Sequence, residues 1–463
     1  MSMGISRIFN NFFGGNKEPA GTPLQNTNKQ AEVSPDQTKQ STNRVSIPQP
    51  QHKKVVSEEW QNQFIEHIKK KDSSGNNVIS PNNPRNGGNA WAIHGSQIML
   101  HTLGYFKEAP SKIPTEQYFA SIRQFQKDYK ITNTGKIGET TAICLCEAYN
   151  RTFEVGFTSK AEEINRLFLP PHPSTKVFLD FAIKNGVVLR QDSHLKTNPD
   201  FINIVKSLQI HLNEINPSNR IQVTGNYGHD TAIAVAETQR ILGITNAKGQ
   251  FDGIAGPQTI KAILESCNKL DRVSKVVKKN EGGTNALSAD KGNTDGGITK
   301  FGITQDAYDD WRDKLKLPKD NTLFMTENES RLFVRDEYYN KLKIDQFKSE
   351  EFSAILLDWA FQHTSERTTT HLNRYLRRNF NSEIKSTNQI GTDTVNTINS
   401  LNPEGLVKVL KEIARWRGVA YEQTDTAEFD KGFEERQKTN QSIVKNIEAS
   451  LPEKTNIKSN KKR

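Results

Sequence analysis

Along most of this 463-residue chain, apolar residues recur every three or four positions, the period of a helix with one face turned to a core. Beyond residue 300 that spacing predicts helices over 306–315, 326–339, 349–362, 368–378, 391–398 and 405–422. The stretch 352–361 is apolar on most faces, which predicts the central buried helix of that part. Nearer the amino terminus, helical segments are predicted over 58–71 and 175–185, each ahead of a denser helical run. The fold class expected is mainly α.

The pattern fails at both ends. Residues 15 to about 55 are Asn, Gln, Pro, Ser, Thr and Lys with hardly an apolar side chain. Such a segment buries too little surface to offset chain entropy and reads as a disordered linker. Before it, Ile5, Ile8, Phe9, Phe12 and Phe13 fall on one face of a short helix, either a frayed terminus or a docking peptide. Residues 1–55 therefore form one unit, and 451–463 a basic tail ending Lys461-Lys462-Arg463.

Between them the chain repeats itself. Gly135/Gly253, Gly138/Gly256 and Thr141/Thr259 each lie 118 residues apart. The second copy runs from Leu208-Gln209 through Gly225-Asn226-Tyr227-Gly228 and Asp230-Thr231 to Gln239, Phe251-Asp252-Gly253 and Thr259. The first has Gln97, Leu103-Gly104-Tyr105, Phe125-Gln126 and Gly135-Lys136-Ile137-Gly138, but no Gly-x-Tyr-Gly turn between Ser111 and Gln117. Glycine permits the turn, and the Asp or Thr after it caps the next helix. Each copy thus predicts a small three-helix module, at 56–155 and 160–268. The marks resemble the peptidoglycan-binding-domain-1 family. That resemblance implies wall binding, with Gln209, Tyr227 and Gln239 as candidate ligand contacts.

Composition narrows the setting. A formal net charge of +10 favours polyanionic partners, the acidic bacterial wall among them, and equally fits basic tails. Nucleic-acid binding has only this charge behind it and is not expected. Three cysteines, Cys144, Cys146 and Cys267, make no disulfide framework and read as ordinary thiols of a protein folded in the cytosol. No run is long and apolar enough to span a bilayer, and the amino terminus has no secretory h-region. The ten histidines show no metal spacing, so neither metal nor cofactor is expected.

The chemistry gathers after residue 270. A predicted helix over 271–280 ends at Glu281-Gly282-Gly283, followed by Asp290, Asp295-Gly296-Gly297-Ile298-Thr299 and Phe301-Gly302-Ile303-Thr304. One carboxylate on a rigid element beside a polar, sharply turning loop is what glycoside hydrolysis needs: a proton for the leaving oxygen and support for an oxocarbenium-like transition state. Val276 and Val277 beside Glu281 supply the apolar surroundings that raise a carboxyl pKa towards ~6. The segment resembles glycoside hydrolase family 108, the lysozyme-like muramidases, whose motif runs EGG, Asp-Gly-Gly, Thr and GIT. The resemblance implies a lysozyme-like helical catalytic domain over 270–450, with the EGG segment at 270–348 and a helical companion at 349–450. It also implies Glu281 as the catalytic acid. Asp295 matches the family's aspartate. Asp290, nine positions after Glu281, competes with it, and Thr299 is a candidate to hold the attacking water. Asp358, Gly391-x-Asp393-Thr394, Arg417, Tyr421 and Phe429 to Arg436 match the companion, whereas Gln362-His363-Thr364 stands where the family shows Asn-x-Gly. Tyr308, Trp311, Tyr339 and Gln362 are candidate sugar contacts, with core packing as the alternative for the aromatics.

The expected function is therefore an N-acetylmuramidase cleaving the MurNAc-β-1,4-GlcNAc bond of peptidoglycan, brought to the wall by two modules. A lytic transglycosylase and a non-catalytic wall-binding protein of an injection device are the alternatives. Synthesis in the bacterial cytoplasm without a signal peptide fits a phage endolysin released by the holin pathway. It equally fits an effector delivered to the wall or periplasm by a contractile secretion machine through the N-terminus.

Overall fold

The computed structural model describes residues 54–70, 77–83, 89–153, 173–191, 198–281, 283–286, 297–422 and 437–445, all within one compact unit that begins at Lys53. The apolar N-terminal stripe, the linker, the basic tail, Asp290, Asp295 and the motif from Phe429 to Arg436 lie outside these residues. The described chain is mainly α, as the spacing predicts. Its one named sheet is a two-stranded hairpin.

The first module consists of α1 (Glu58–Lys69), α2 (Ala90–Thr102), α3 (Glu116–Asp128) and α4 (Glu139–Arg151). The second consists of α5 (Pro173–Lys184), α6 (Pro199–Ile215), α7 (His229–Leu242) and the first half of α8 (Pro257–Glu281). Each repeat is thus larger than three helices. The preceding helix packs in, α1 on α4 and α5 on α6 and α8. The chain after it then makes an antiparallel bridge to the second loop, Ile79 to Ile137 in one copy and Leu189 to Ala255 in the other.

The glutamines of the repeat explain its turns. Gln239 accepts the N–H of Gly253 at 3.1 Å and donates to the Ile254 carbonyl at 3.1 Å. Gln126 does the same to Gly135 at 2.8 Å and Lys136 at 2.8 Å. Gln209 closes the other loop on Gly225 at 2.9 Å and Asn226 at 3.0 Å. In the first module, where that loop has no glycine turn, Gln97 still clasps it through Ser111 and Ile113. All four amides are buried, and a buried amide with both ends bonded locks a loop that has no regular ladder of its own. Gly135, Gly225 and Gly253 have φ of +67°, +80° and +67°, where a side chain would be strained.

The remainder is built on the second half of α8. It is followed by strands β1 (Thr284–Asn285) and β2 (Thr299–Lys300), then α9 (Gln305–Lys314) and α10 (Glu327–Val334). A single π turn, Arg335–Tyr339, extends α10. Then come α11 (Glu350–His363), α12 (Ser365–Asn379), α13 (Thr392–Ser400), α14 (Pro403–Glu422) and a helical stretch at 437–445. Side-chain caps set the starts: Thr304, Thr326 with Glu329, and Ser349 each accept a backbone N–H of the first turn, satisfying donors that a helix leaves open. The expected central helix is α11, buried from Phe352 to Ala360 and packed on α8, α12 and α14. Asp358 on it is fully buried and paired to Arg417 at 2.8 Å.

One boundary differs from expectation. The sequence reading separates the second module at 268 from the catalytic part at 270, but α8 runs through both, and no Gly or Pro interrupts it between Gln258 and Glu281. Ile260, Ile263 and Leu264 lie in the second module's core, while Leu270, Val273 and Val277 lie in the core shared with α11. Arg331, paired with the buried Glu214 and with Asp271, fastens the second module further.

At the end of α11, Thr364 stands where the resemblance expects glycine and takes φ 65°, ψ 152°, a region costly for a β-branched residue. Its hydroxyl still caps α12 by accepting the Arg367 N–H at 3.3 Å. Relief of strain outweighs loss of a cap that glycine replaces at little cost. Thr364→Gly is therefore expected to stabilise the protein by about 1 kcal/mol, read as a higher denaturant midpoint at unchanged slope.

Candidate active site

The last turns of α8 form one side of a cavity of about 460 Å³. Ser274, Val277 and Lys278 line it. Position 281, three, four and seven residues further on, falls on the same helix face. Glu281 is the final residue of α8. The chain then turns through Gly283 into β1, which pairs antiparallel with β2 in the register Thr284–Lys300 and Asn285–Thr299. The loop that joins these strands carries Asp290 and Asp295. Thr299 is half-buried on β2, directly across the hairpin from Asn285.

The Phe301-Gly302-Ile303-Thr304 motif is a structural corner. Phe301 and Gly302 have φ of +56° and +75°, Ile303 is buried, and the Thr304 hydroxyl caps α9. Its sharp return brings Phe301 to the cavity wall beside Gly283.

The opposite wall comes from the first module, through Lys127, Lys130 and Ile131. The Lys130 carbonyl accepts the Thr284 N–H at 2.9 Å, and the Tyr129 carbonyl accepts the Thr284 hydroxyl at 2.6 Å. A Cβ on Gly283 would stand 1.8 Å from the Lys130 carbonyl oxygen, so the glycine is required by this approach. Arg151 forks onto Asp320 at 2.6 and 3.2 Å on the same interface.

One carboxylate in the cavity is Glu327, ion-paired to Lys130 at 2.9 Å. The Lys130 hydrogen bond, with Lys130, Lys278 and Lys300 nearby, holds it below the usual carboxylate range. Lys300 is buried behind the hairpin with its ammonium on the Leu323 carbonyl at 2.5 Å, and burial lowers its pKa to about 8. Because the folded form binds this proton less tightly than the unfolded chain, stability rises with pH through the window from about 8 to 10.5. The buried Cys144 thiol, pushed up to about 12, works the other way above pH 9. Between pH 7 and 9 the wild type should gain about 1 kcal/mol relative to Lys300→Met, measured by denaturant unfolding at both pH values.

The other candidates are placed away from this cavity. Tyr308 and Trp311 are fully buried. Tyr308 donates to Glu329 and accepts from Arg312, both at 2.8 Å, and the Trp311 indole N–H donates to Asp336 at 3.0 Å. Tyr339 is fully buried and donates to Asp345 at 2.8 Å. Tyr308 and Trp311 build the core under α9 and α10, Tyr339 packs in the core shared by α8 and α11, and none presents an open face for a sugar. Gln362 accepts from Arg417 at 2.7 Å. Gln209 and Gln239 are the turn clasps described above, and the Tyr227 hydroxyl ties one loop to the other through the Gly253 carbonyl at 2.8 Å. The motif glutamines are thus explained by the fold of the module. Among the described residues no cluster of three or more His, Cys, Asp or Glu is arranged to hold a metal, and no helix is long and apolar enough to cross a membrane.

Lys127, Lys130, Lys278, Glu327 and Arg331 are the charged groups among the cavity residues that the sequence did not single out. Lys130 meets Thr284 across some 150 positions of chain, and no local pattern announces such a contact. No curated protein and no solved structure matches the chain. Residues 274–363 match the model of the family Glycosyl hydrolase 108. The match covers the end of α8, the hairpin, α9, α10 and α11, the elements that surround position 281. At the family level the segment that builds this site is therefore similar to a glycoside hydrolase.

Proposed function

We propose that the protein is an N-acetylmuramidase that hydrolyses the MurNAc-β-1,4-GlcNAc bond of peptidoglycan, with Glu281 as its general acid. The observation that carries this reading is the position of Glu281. It is the last residue of α8, one turn beyond the cavity-lining Lys278, within the segment matched to glycosyl hydrolase 108, which supports this reading. Protonation of the glycosidic oxygen lets the aglycone leave as an alcohol. Water then adds to the anomeric carbon and gives its proton either back to Glu281 or to a second carboxylate, in which case exchange with solvent re-protonates Glu281. Thr299 on β2 and the two aspartates of the joining loop, Asp290 and Asp295, are the candidates to hold that water or the cation.

The cavity volume falls within the range of ordinary ligand sites. Its lysines suit a glycan bearing lactyl and peptide carboxylates. Action on the wall after release through a holin pathway, or after delivery by a contractile secretion machine, is the setting this reading favours.

The test is digestion of purified peptidoglycan by wild type and Glu281→Gln, with mass spectrometry of the released fragments. Reducing-end saccharides from wild type alone are expected. Anhydro ends would make the enzyme a lytic transglycosylase, and release of nothing, with both proteins still pelleting with the wall, would leave a binding protein.

A further inference from the structure

We propose that the first module is part of the substrate groove: the cavity beside position 281 and a second cavity over the module's own glycine turn form one cleft for a glycan strand. This rests on the reading of the site as glycan-cleaving. The second cavity, about 510 Å³, is lined by Thr132, Lys136, Thr140 and Thr284, and shares Ile131 and Gly283 with the first. The two therefore meet at the backbone contact between Thr284 and Lys130.

That contact is built into the chain. It needs a glycine at 283, and Lys130 is itself held at φ 60°. The hairpin side supplies Ala286, Ile298 and Leu323 to the first module's core. A tethered binding module would keep a core of its own, whereas this one is completed by the catalytic segment.

The chemistry of the second cavity suits the same polymer. Thr132 and Lys136 are exposed on the turn that Gln126 clasps. Hydroxyls there match the hydroxyl and acetamido groups of a sugar chain, and Lys136 here, like Lys127 in the first cavity, matches its carboxylates. The module thus supplies sugar subsites on one side of the bond that is cut. Its contribution grows with the length of glycan bound.

Calorimetry on the full-length Glu281→Gln protein tests this, with stem-free peptidoglycan oligosaccharides from one disaccharide upward. Affinity is expected to rise with length. Thr132→Trp and Lys136→Glu, both at exposed positions, should each weaken the long oligomers by about tenfold and leave the shortest unchanged. Equal affinity of variants and parent at every length would overturn the proposal. So would an equal loss at all lengths in both variants, or no binding of any oligomer by the parent. If wild type released no product while the length dependence and its loss in the variants held, the groove would stand and the glycan-cleaving reading would fall.

Discussion

Glu281→Gln is expected to lower the rate of glycan cleavage by roughly 10²–10⁴-fold, the usual contribution of a positioned general acid. Glutamine keeps the shape of the side chain and loses only the transferable proton, so binding of the uncut glycan should be nearly unchanged. The loss should therefore fall on kcat, and KM should move little. The pH profile gives a second readout. Under the proposed mechanism, wild type activity should decline on the alkaline side, and the residual activity of the variant should not follow that limb. A variant with raised KM and unchanged kcat would remove Glu281 from the chemistry. Glu327, which lines the cavity and is held below the usual carboxylate range by Lys130, makes such a readout worth having, because it separates the contributions of two carboxylates.

The second large effect concerns stability. Arg335→Met is expected to cost about 3–5 kcal/mol, as breakage of a buried ion pair does when one charge is left behind. The Arg335 guanidinium is fully buried beneath the π turn. It donates to the Ile215 carbonyl at 3.3 Å, to the Ser266 carbonyl at 3.3 Å and to the Ser266 hydroxyl, and pairs with Asp345 at 3.4 Å. One side chain thus fastens the end of α6, the middle of α8 and the segment after α10. Methionine fills much of the volume but leaves Asp345 buried with the Tyr339 and Ser266 hydroxyls as donors. Adding Asp345→Asn should recover part of the loss, because it removes the carboxylate left without its guanidinium. Chemical denaturation of the four proteins of this cycle measures the coupling directly.

The helices after residue 300 were legible because each carries its own period and its own cap. Expected and observed bounds agree closely for α9, α11 and α14, since Thr304, Ser349 and the apolar runs after them are local signals. The end of α8 at Glu281 was legible for the same reason, because two glycines follow it. The aromatics were not. Tyr308, Trp311 and Tyr339 at helical spacing fit a core and a sugar platform equally, and only burial separates the two. The repeat was legible in its glycines, but the role of its glutamines was not, because a clasp is visible only when both ends of the amide have found their loops. The first module's wall of the cavity had no sequence signal. Its residues meet the hairpin by docking, a property of two surfaces rather than of either stretch of chain.

The unbroken course of α8 makes the angle between the second module and the catalytic segment a matter of counting. A flexible tether tolerates an added residue anywhere. Here a single residue inserted between Cys267 and Asp271 would turn everything beyond it by about 100° and advance it by about 1.5 Å. The second module would then point to another side of the segment that follows it, because no glycine or proline interrupts the helix to let it turn back. The helix thus works as a crank whose phase is written in its number of residues, and a module exchanged at this joint would have to match that phase.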